Sequence, residues 1–87
     1  MTRPFTEEER RLRWQCRRGL KELDVIFEPY MEEHYRDASI SDQQVFRRIL
    51  AEEDVDLLAW FMQYTVPDDA EYRQLIATIL AKLAHTL

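Results

Sequence analysis

Side chains that could do chemistry are few: two histidines, one cysteine, and a surplus of carboxylates, with seventeen acidic residues against twelve basic ones. His34 stands in Glu32-Glu-His34-Tyr, and His85 lies in a stretch expected to fray. A zinc site needs three or four ligands on a rigid frame. Glu33 and His34 are adjacent, so on a helix they point about 100° apart. His34 therefore reads as a surface or core-edge residue. Cys16 is alone and can form no intramolecular disulfide. A reactive thiolate needs exposure and a lowered pKa. Nearby arginines could lower it, but no histidine lies close in sequence to act as base. Cys16 also shares a helical face with Leu12, which points it at the core. Acid–base work needs carboxylates paired in a pocket, and the acids here fall on solvent faces and helix starts. A single glycine, Gly19, cannot build a phosphate-cradling loop. The chain is expected to be no enzyme, with no metal and no cofactor of its own.

The elements that hold these residues are helical. Asn is absent, glycine nearly so, and tight β-turns need both. Thr6-Glu-Glu-Glu9 has the form of a capping box, opening a helix to about Arg18. Gly19 follows at the place of a C-cap. Leu23, Ile26, Phe27, Tyr30 and Met31 mark a second helix over about Leu20 to Arg36. Pro29 interrupts it, either as a kink, the favoured reading, or as a fresh start. Ser41-Asp-Gln-Gln44 reads as a second capping box, for a helix ending near Glu52. Its stripe is Val45, Phe46, Ile49 and Leu50. Asp54 can cap a fourth helix, facing inward through Leu57, Leu58, Phe61 and Met62. Thr65-Val-Pro67 breaks it, and Asp68-Asp-Ala-Glu71 opens a fifth with Tyr72, Leu75, Ile76, Ile79, Leu80 and Leu83 inward. The expected fold is all-α, a compact five-helix bundle in one domain over 1–87, with 1–5 and 84–87 fraying.

Charge is unevenly placed. Seven of the twelve basic residues lie in the first 21, whereas Glu22 to Glu71 carries fourteen acids against three bases. A basic first helix is thus joined to an acidic body with a net charge of −5. No apolar run reaches the roughly 18 residues of a membrane span. The start, Met-Thr-Arg-Pro-Phe-Thr-Glu-Glu-Glu, lacks a signal-peptide core and is too acidic for a transit peptide. A bacterial-type cytoplasmic protein is expected.

One constellation stands apart. In Arg17-Arg18-Gly19-Leu20-Lys21-Glu22-Leu23-Asp24 the lone glycine sits at the junction of helices 1 and 2, flanked by Arg18 and Glu22 at i and i+4. Glycine takes a left-handed conformation cheaply and leaves backbone uncovered. A C-cap with a surface ion pair accounts for Gly19 well. It accounts for the charges less well, because Arg before Glu is the weaker order and an exposed pair contributes about 0–1 kcal/mol. The other reading is a binding site. Trp14 falls off the Leu12–Cys16 stripe among arginines, pointing to exposure. Phe27, Tyr30, Tyr35, Phe46, Trp60, Phe61 and Tyr72 read as core.

This run resembles the Arg-Gly-x-x-Glu signature of the SdhE-type FAD assembly factors of succinate dehydrogenase. Trp14-Gln-Cys16 precedes it, and Pro29-Tyr30 lies before an acidic stretch. Asp54-Val-Asp56-Leu-Leu-Ala-Trp60 resembles the family's acidic, then Leu-x-x-Trp, segment. Pro67-Asp-Asp-Ala-Glu71 opens the last helix. The likeness covers about residues 10 to 80. It implies a five-helix protein that binds the flavoprotein subunit of succinate dehydrogenase, in some bacteria also that of fumarate reductase. Such proteins promote covalent attachment of FAD to a histidine of that subunit. By that resemblance Arg18, Gly19 and Glu22 form the partner-contacting signature, with Arg17 beside them. Tyr35, Asp54 and Trp60 could extend the surface, or Trp60 could be core. FAD would belong to the partner, and the free protein is expected to be a monomer. Two rivals remain from the residues alone. One is a nucleic-acid-binding or antitoxin-like regulator that uses the arginine-rich first helix on phosphates, opposed by the net charge. The other is a generic helical adaptor for a different enzyme.

Overall fold

The structure is a computed structural model describing residues 4–86. Among them lie five α-helices and no strand: α1 (Glu7–Gln15), α2 (Lys21–Glu33), α3 (Ile40–Leu50), α4 (Asp54–Phe61) and α5 (Ala70–Thr86). A 3₁₀ turn, Tyr35–Asp37, joins α2 to α3.

Helix starts follow the need to satisfy orphan amides. Thr6 caps α1 as a full capping box: its hydroxyl accepts from Glu9 N–H at 3.1 Å, and Glu9 Oε1 accepts from Thr6 N–H at 2.8 Å. Asp69 opens α5, its carboxylate accepting from the amides of Glu71 and Tyr72 at 2.8 and 3.3 Å. The cap of α3 is Ser39, whose hydroxyl accepts from Asp42 N–H at 3.0 Å, in place of the expected Ser41. Both serines head a plausible pattern, but extended backbone at Ala38 and Ser39 starts the helix one residue before Ser41.

Helix ends depart further from expectation. α1 stops at Gln15, three residues short of Arg18. Cys16 N–H is shared between the carbonyls of Leu12 and Arg13, and Arg18 N–H turns away to the Asp24 carboxylate at 2.8 Å. Gly19 therefore lies in the loop beyond the C-cap Cys16. α2 runs through Pro29 as one helix and ends at Glu33, where His34 leaves helical geometry (φ −127°). The following turn is pinned by Gln43, donating to the Tyr35 carbonyl at 2.9 Å. α4 closes in a Schellman motif: Tyr64 N–H donates to Ala59 O and Gln63 N–H to Trp60 O, with Gln63 at φ 64°.

Of the ends expected to fray, residues 4–5 and 84–86 are among those described. Residues 1–3 and 87 lie outside the described residues. Phe5 packs at the core edge under the Arg36 guanidinium, 4.8 Å from its ring centroid. α5 stays helical through Thr86.

Between the helices, aromatic rings interlock. Phe27 of α2 meets Phe61 of α4 edge-on at 5.1 Å and Phe46 of α3 at 6.1 Å, and Phe46 meets Tyr30 at 5.0 Å. α2 packs against α4 and α5, and α5 also covers α3 and α4. The radius of gyration, 12.4 Å, matches the about 12 Å expected of a folded chain this long. The core includes all five residues expected on the inner face of α2.

A side chain at φ 64° strains Gln63 by about 1–2 kcal/mol. Glycine would relieve this while loosening the unfolded chain by about 0.4–1 kcal/mol. Gln63→Gly should therefore stabilise the fold by about 0.5–1 kcal/mol, read as a higher urea midpoint.

Candidate functional site

At the α1–α2 corner, Arg18 has an environment that spacing did not reveal. Its guanidinium reaches across to the α3–α4 junction: Nε donates to Asp54 Oδ1 at 2.7 Å, Nη1 to Leu50 O at 2.9 Å, and Nη2 to Glu52 O at 3.0 Å. Nη1 also donates to Gln15 O at 3.1 Å. Gln15 and Leu50 are the last residues of α1 and α3. Their carbonyls have no partner within their own helices, and they carry the negative end of the helix dipole. A fork with several N–H donors and a fixed positive charge suits that place better than any other side chain. The side chain is only 16% exposed.

The Arg18 fork is thus engaged within the chain. Asp54, expected to cap α4, does not do so. Glu53 is the N-cap of α4, without a side-chain bond, and Asp54 turns to Arg18 instead. Asp24, which did not stand out in sequence, fixes the Arg18 amide. No i,i+4 pair forms between Arg18 and Glu22. Arg18 is thus a buttress that sets the shape of the corner.

That corner is open. Gly19 is exposed at φ +81°, and a Cβ built on it would meet no atom within 4 Å. Conformation, not lack of space, requires glycine here. Around it lie exposed Arg17, Leu20, Lys21 and Glu22. Glu22 has no ion pair or hydrogen bond among the described residues. Trp14 is 73% exposed, with the Arg17 guanidinium 5.8 Å from its ring, and Val25 is 56% exposed. Leu20 and Val25 were missed in sequence, although both fall off the Leu23–Ile26–Phe27 stripe. The corner gathers Arg17, Gly19 and Glu22 at the surface, with Arg18 beneath.

Other sequence candidates fall elsewhere. Tyr35 is buried, its hydroxyl accepting from Arg47 Nε at 3.1 Å, so it adds nothing to a contact surface. Trp60 packs at the core edge, 5.7 Å from the Tyr72 ring. His34 is part-buried with Glu33 3.9 Å away, and the His85 side chain lies outside the described residues. Among the described residues no cluster of His, Cys, Asp or Glu could hold a metal, and no helix is long and apolar enough to cross a membrane.

Cys16 is fully buried. Burial, then the negative charge of Glu28, pushes its thiol up to about 12, with Arg18 opposing. Its position is structural.

The corner is an open surface of charged and apolar side chains around bare backbone, a form suited to contact. Comparison with known proteins places it more narrowly. Residues 10–83 match the family described as the flavinator of succinate dehydrogenase. The chain is 43% identical over 77 residues to the FAD assembly factor SdhE of Idiomarina loihiensis, covering 88% of this chain and 86% of that one. It is 45% identical over 76 residues to that of Acinetobacter baylyi (87% and 89% covered) and 42% identical over 76 to that of Pseudomonas aeruginosa (87% and 90%). The chain belongs to this family of succinate dehydrogenase flavinators, whose members are named as assembly factors and not as enzymes.

Truncating Arg18 should destabilise the whole fold, because four acceptors lose their donor. Arg18→Ala is expected to cost about 3 kcal/mol in urea denaturation, and Arg18→Lys less. Cys16 should resist a thiol reagent at pH 8 in the native protein and react once urea unfolds it. The unfolded thiol ionises from about pH 8.5 while the buried one stays protonated, so stability falls as pH rises from there toward 12.

Proposed function

We propose that this chain docks its α1–α2 corner on the flavoprotein subunit of succinate dehydrogenase and promotes covalent attachment of FAD to a histidine of that subunit. The observation that carries the reading is Gly19, bare and exposed at φ +81° between helix ends locked by Arg18. Family membership supports the partner and the outcome. The flavoprotein supplies both the histidine and the FAD. This chain supplies a rigid surface that holds the flavoprotein in a reactive arrangement, and orientation alone can lower a barrier by several kcal/mol. Bare backbone at Gly19 lets the partner come close, while Glu22 and Arg17 on either side offer a free carboxylate and a free cation.

The rival reading, phosphate binding by the basic first helix, has less to work with. Arg11 pairs with Glu7 at 3.6 Å, Arg13 with Glu32 at 2.5 Å, and Arg18 with Asp54. Those three charges are paired within the chain, and the unpaired Arg10 and Arg17 share a groove with Glu28.

Two variants separate occlusion from strain. Any side chain at Gly19 meets the same backbone penalty of about 1–2 kcal/mol, but only a large one blocks approach. Gly19→Arg should fold, with a slightly lower melting temperature, and abolish covalent flavin on the co-expressed flavoprotein, scored by in-gel fluorescence. Gly19→Ala should lose much less. Full flavinylation with folded Gly19→Arg would overturn the proposal. Repeating the assay with a fumarate reductase flavoprotein tests whether the same corner serves it.

A further inference from the structure

Six of the nine arginines among the described residues are matched with carboxylates. Arg11, Arg13, Arg18, Arg36, Arg47 and Arg48 each have one within 4.0 Å. Arg73 instead donates to the carbonyls of Pro67 and Asp68, both at 2.8 Å. Arg10 and Arg17 have none. Arg10 touches only the Phe5 carbonyl, at 3.3 Å, and Arg17 only the face of Trp14. Both line one groove of about 320 Å³ between α1 and α2, with Arg13, Trp14, Glu28 and Glu32. Lys21, on the adjoining corner, is likewise exposed and unpaired. In a chain with more acids than bases, unmatched cations gathered on one face mark where outside carboxylates would be best received.

We infer that this groove receives an acidic segment of the protein partner, its carboxylates on Arg10 and Arg17 and an adjacent side chain on the Trp14 ring. The inference deepens the docking reading and rests on it. Charge decides the occupant. One wall, on α1, is basic, while the other carries Glu28, and Glu32 already held by Arg13 at 2.5 Å. A nucleic acid, with a charge about every 1.7 Å of its axis, would be pressed against Glu28. A short segment with a few carboxylates engages the α1 wall alone. Arginine forks bind carboxylates in two-pronged geometry, and an exposed indole next to arginine adds apolar and cation–π contact.

The test titrates purified flavoprotein subunit with the wild type and with Arg10→Glu/Arg17→Glu, at low and at physiological ionic strength. Neither residue gives up an ion pair, so the double variant should keep the native circular dichroism and melting curve. Its Kd should weaken at least about tenfold at low salt and lose its salt dependence, while Arg10→Lys/Arg17→Lys retains most affinity. Binding by the double variant within twofold of wild type, with Gly19→Arg unable to bind, overturns the groove and leaves the docking reading standing. If Gly19→Arg also binds normally, the docking reading falls as well. A second arm needs no flavoprotein: a short Asp/Glu-rich peptide is titrated while tryptophan fluorescence is followed. A saturable change lost in Trp14→Phe and in the double charge variant supports the inference. Saturation by inorganic pyrophosphate or duplex DNA but not by the peptide, or no response to any of the three, overturns it.

Discussion

The Arg18 guanidinium sits where two helices end and a third begins. It donates to the last carbonyls of α1 and α3, the Glu52 carbonyl between α3 and α4, and the Asp54 carboxylate in the first turn of α4. Each of these groups would otherwise need water. A partly buried cation is costly to desolvate unless its donors are matched, and here they are matched from separate segments. The angle at which the α1–α2 loop meets the body is therefore set by hydrogen bonds whose directions are fixed. A hydrophobic contact would hold these helices together without dictating that angle.

Gly19 gains its meaning from that constraint. With Arg18 anchored through its side chain, and its amide fixed by Asp24 at 2.8 Å, the chain must turn back within one residue to start α2. The turn takes φ to +81°, a conformation glycine enters freely. The backbone left bare faces solvent because Arg18 draws inward, below Gly19, and Leu20, Lys21 and Glu22 project outward. Signature residues that read as one contact patch in sequence thus divide into a support and a surface. Losing the support would move the surface without touching a partner.

Local chemistry made much of this legible. Thr6 and Asp69 announce helix starts because a cap is satisfied within a few residues. The stripes of α2, α3 and α5 declare their inner faces by periodicity alone. Trp14 could be read as exposed for the same reason, since it breaks its stripe. What stayed hidden is long-range. Asp54 heads a helix and is a natural cap, yet it turns to an arginine 36 residues away. Ser39 and Ser41 both carry cap patterns, and only the extended backbone at Ala38 and Ser39 decides between them. The end of α1 depends on Asp24 taking an amide that lies outside the helix. For Asp54 and for the end of α1, a partner outside the helix outweighs a local preference worth about 1 kcal/mol.

The same competition explains why the surface reads as it does. Five cations among the described residues are drawn into pairs that tie one element to another, as Arg48 ties α3 to Asp69 and Glu71 at 2.6 and 3.0 Å. Arg36 similarly reaches Glu9 across the fold at 3.3 Å. Beyond these pairs the body keeps a large excess of carboxylates, so an acidic surface is not drawn to it. The exception is the edge where α1 meets α2, where Arg10, Arg17 and Lys21 remain unpaired beside Trp14 and Gly19. Long-range attraction in such a molecule concentrates at that edge, and encounter there is steered before any close contact forms. Under the docking reading, one orientation is preferred because the unpaired cations lie together at that edge while the rest of the surface is dominated by carboxylates.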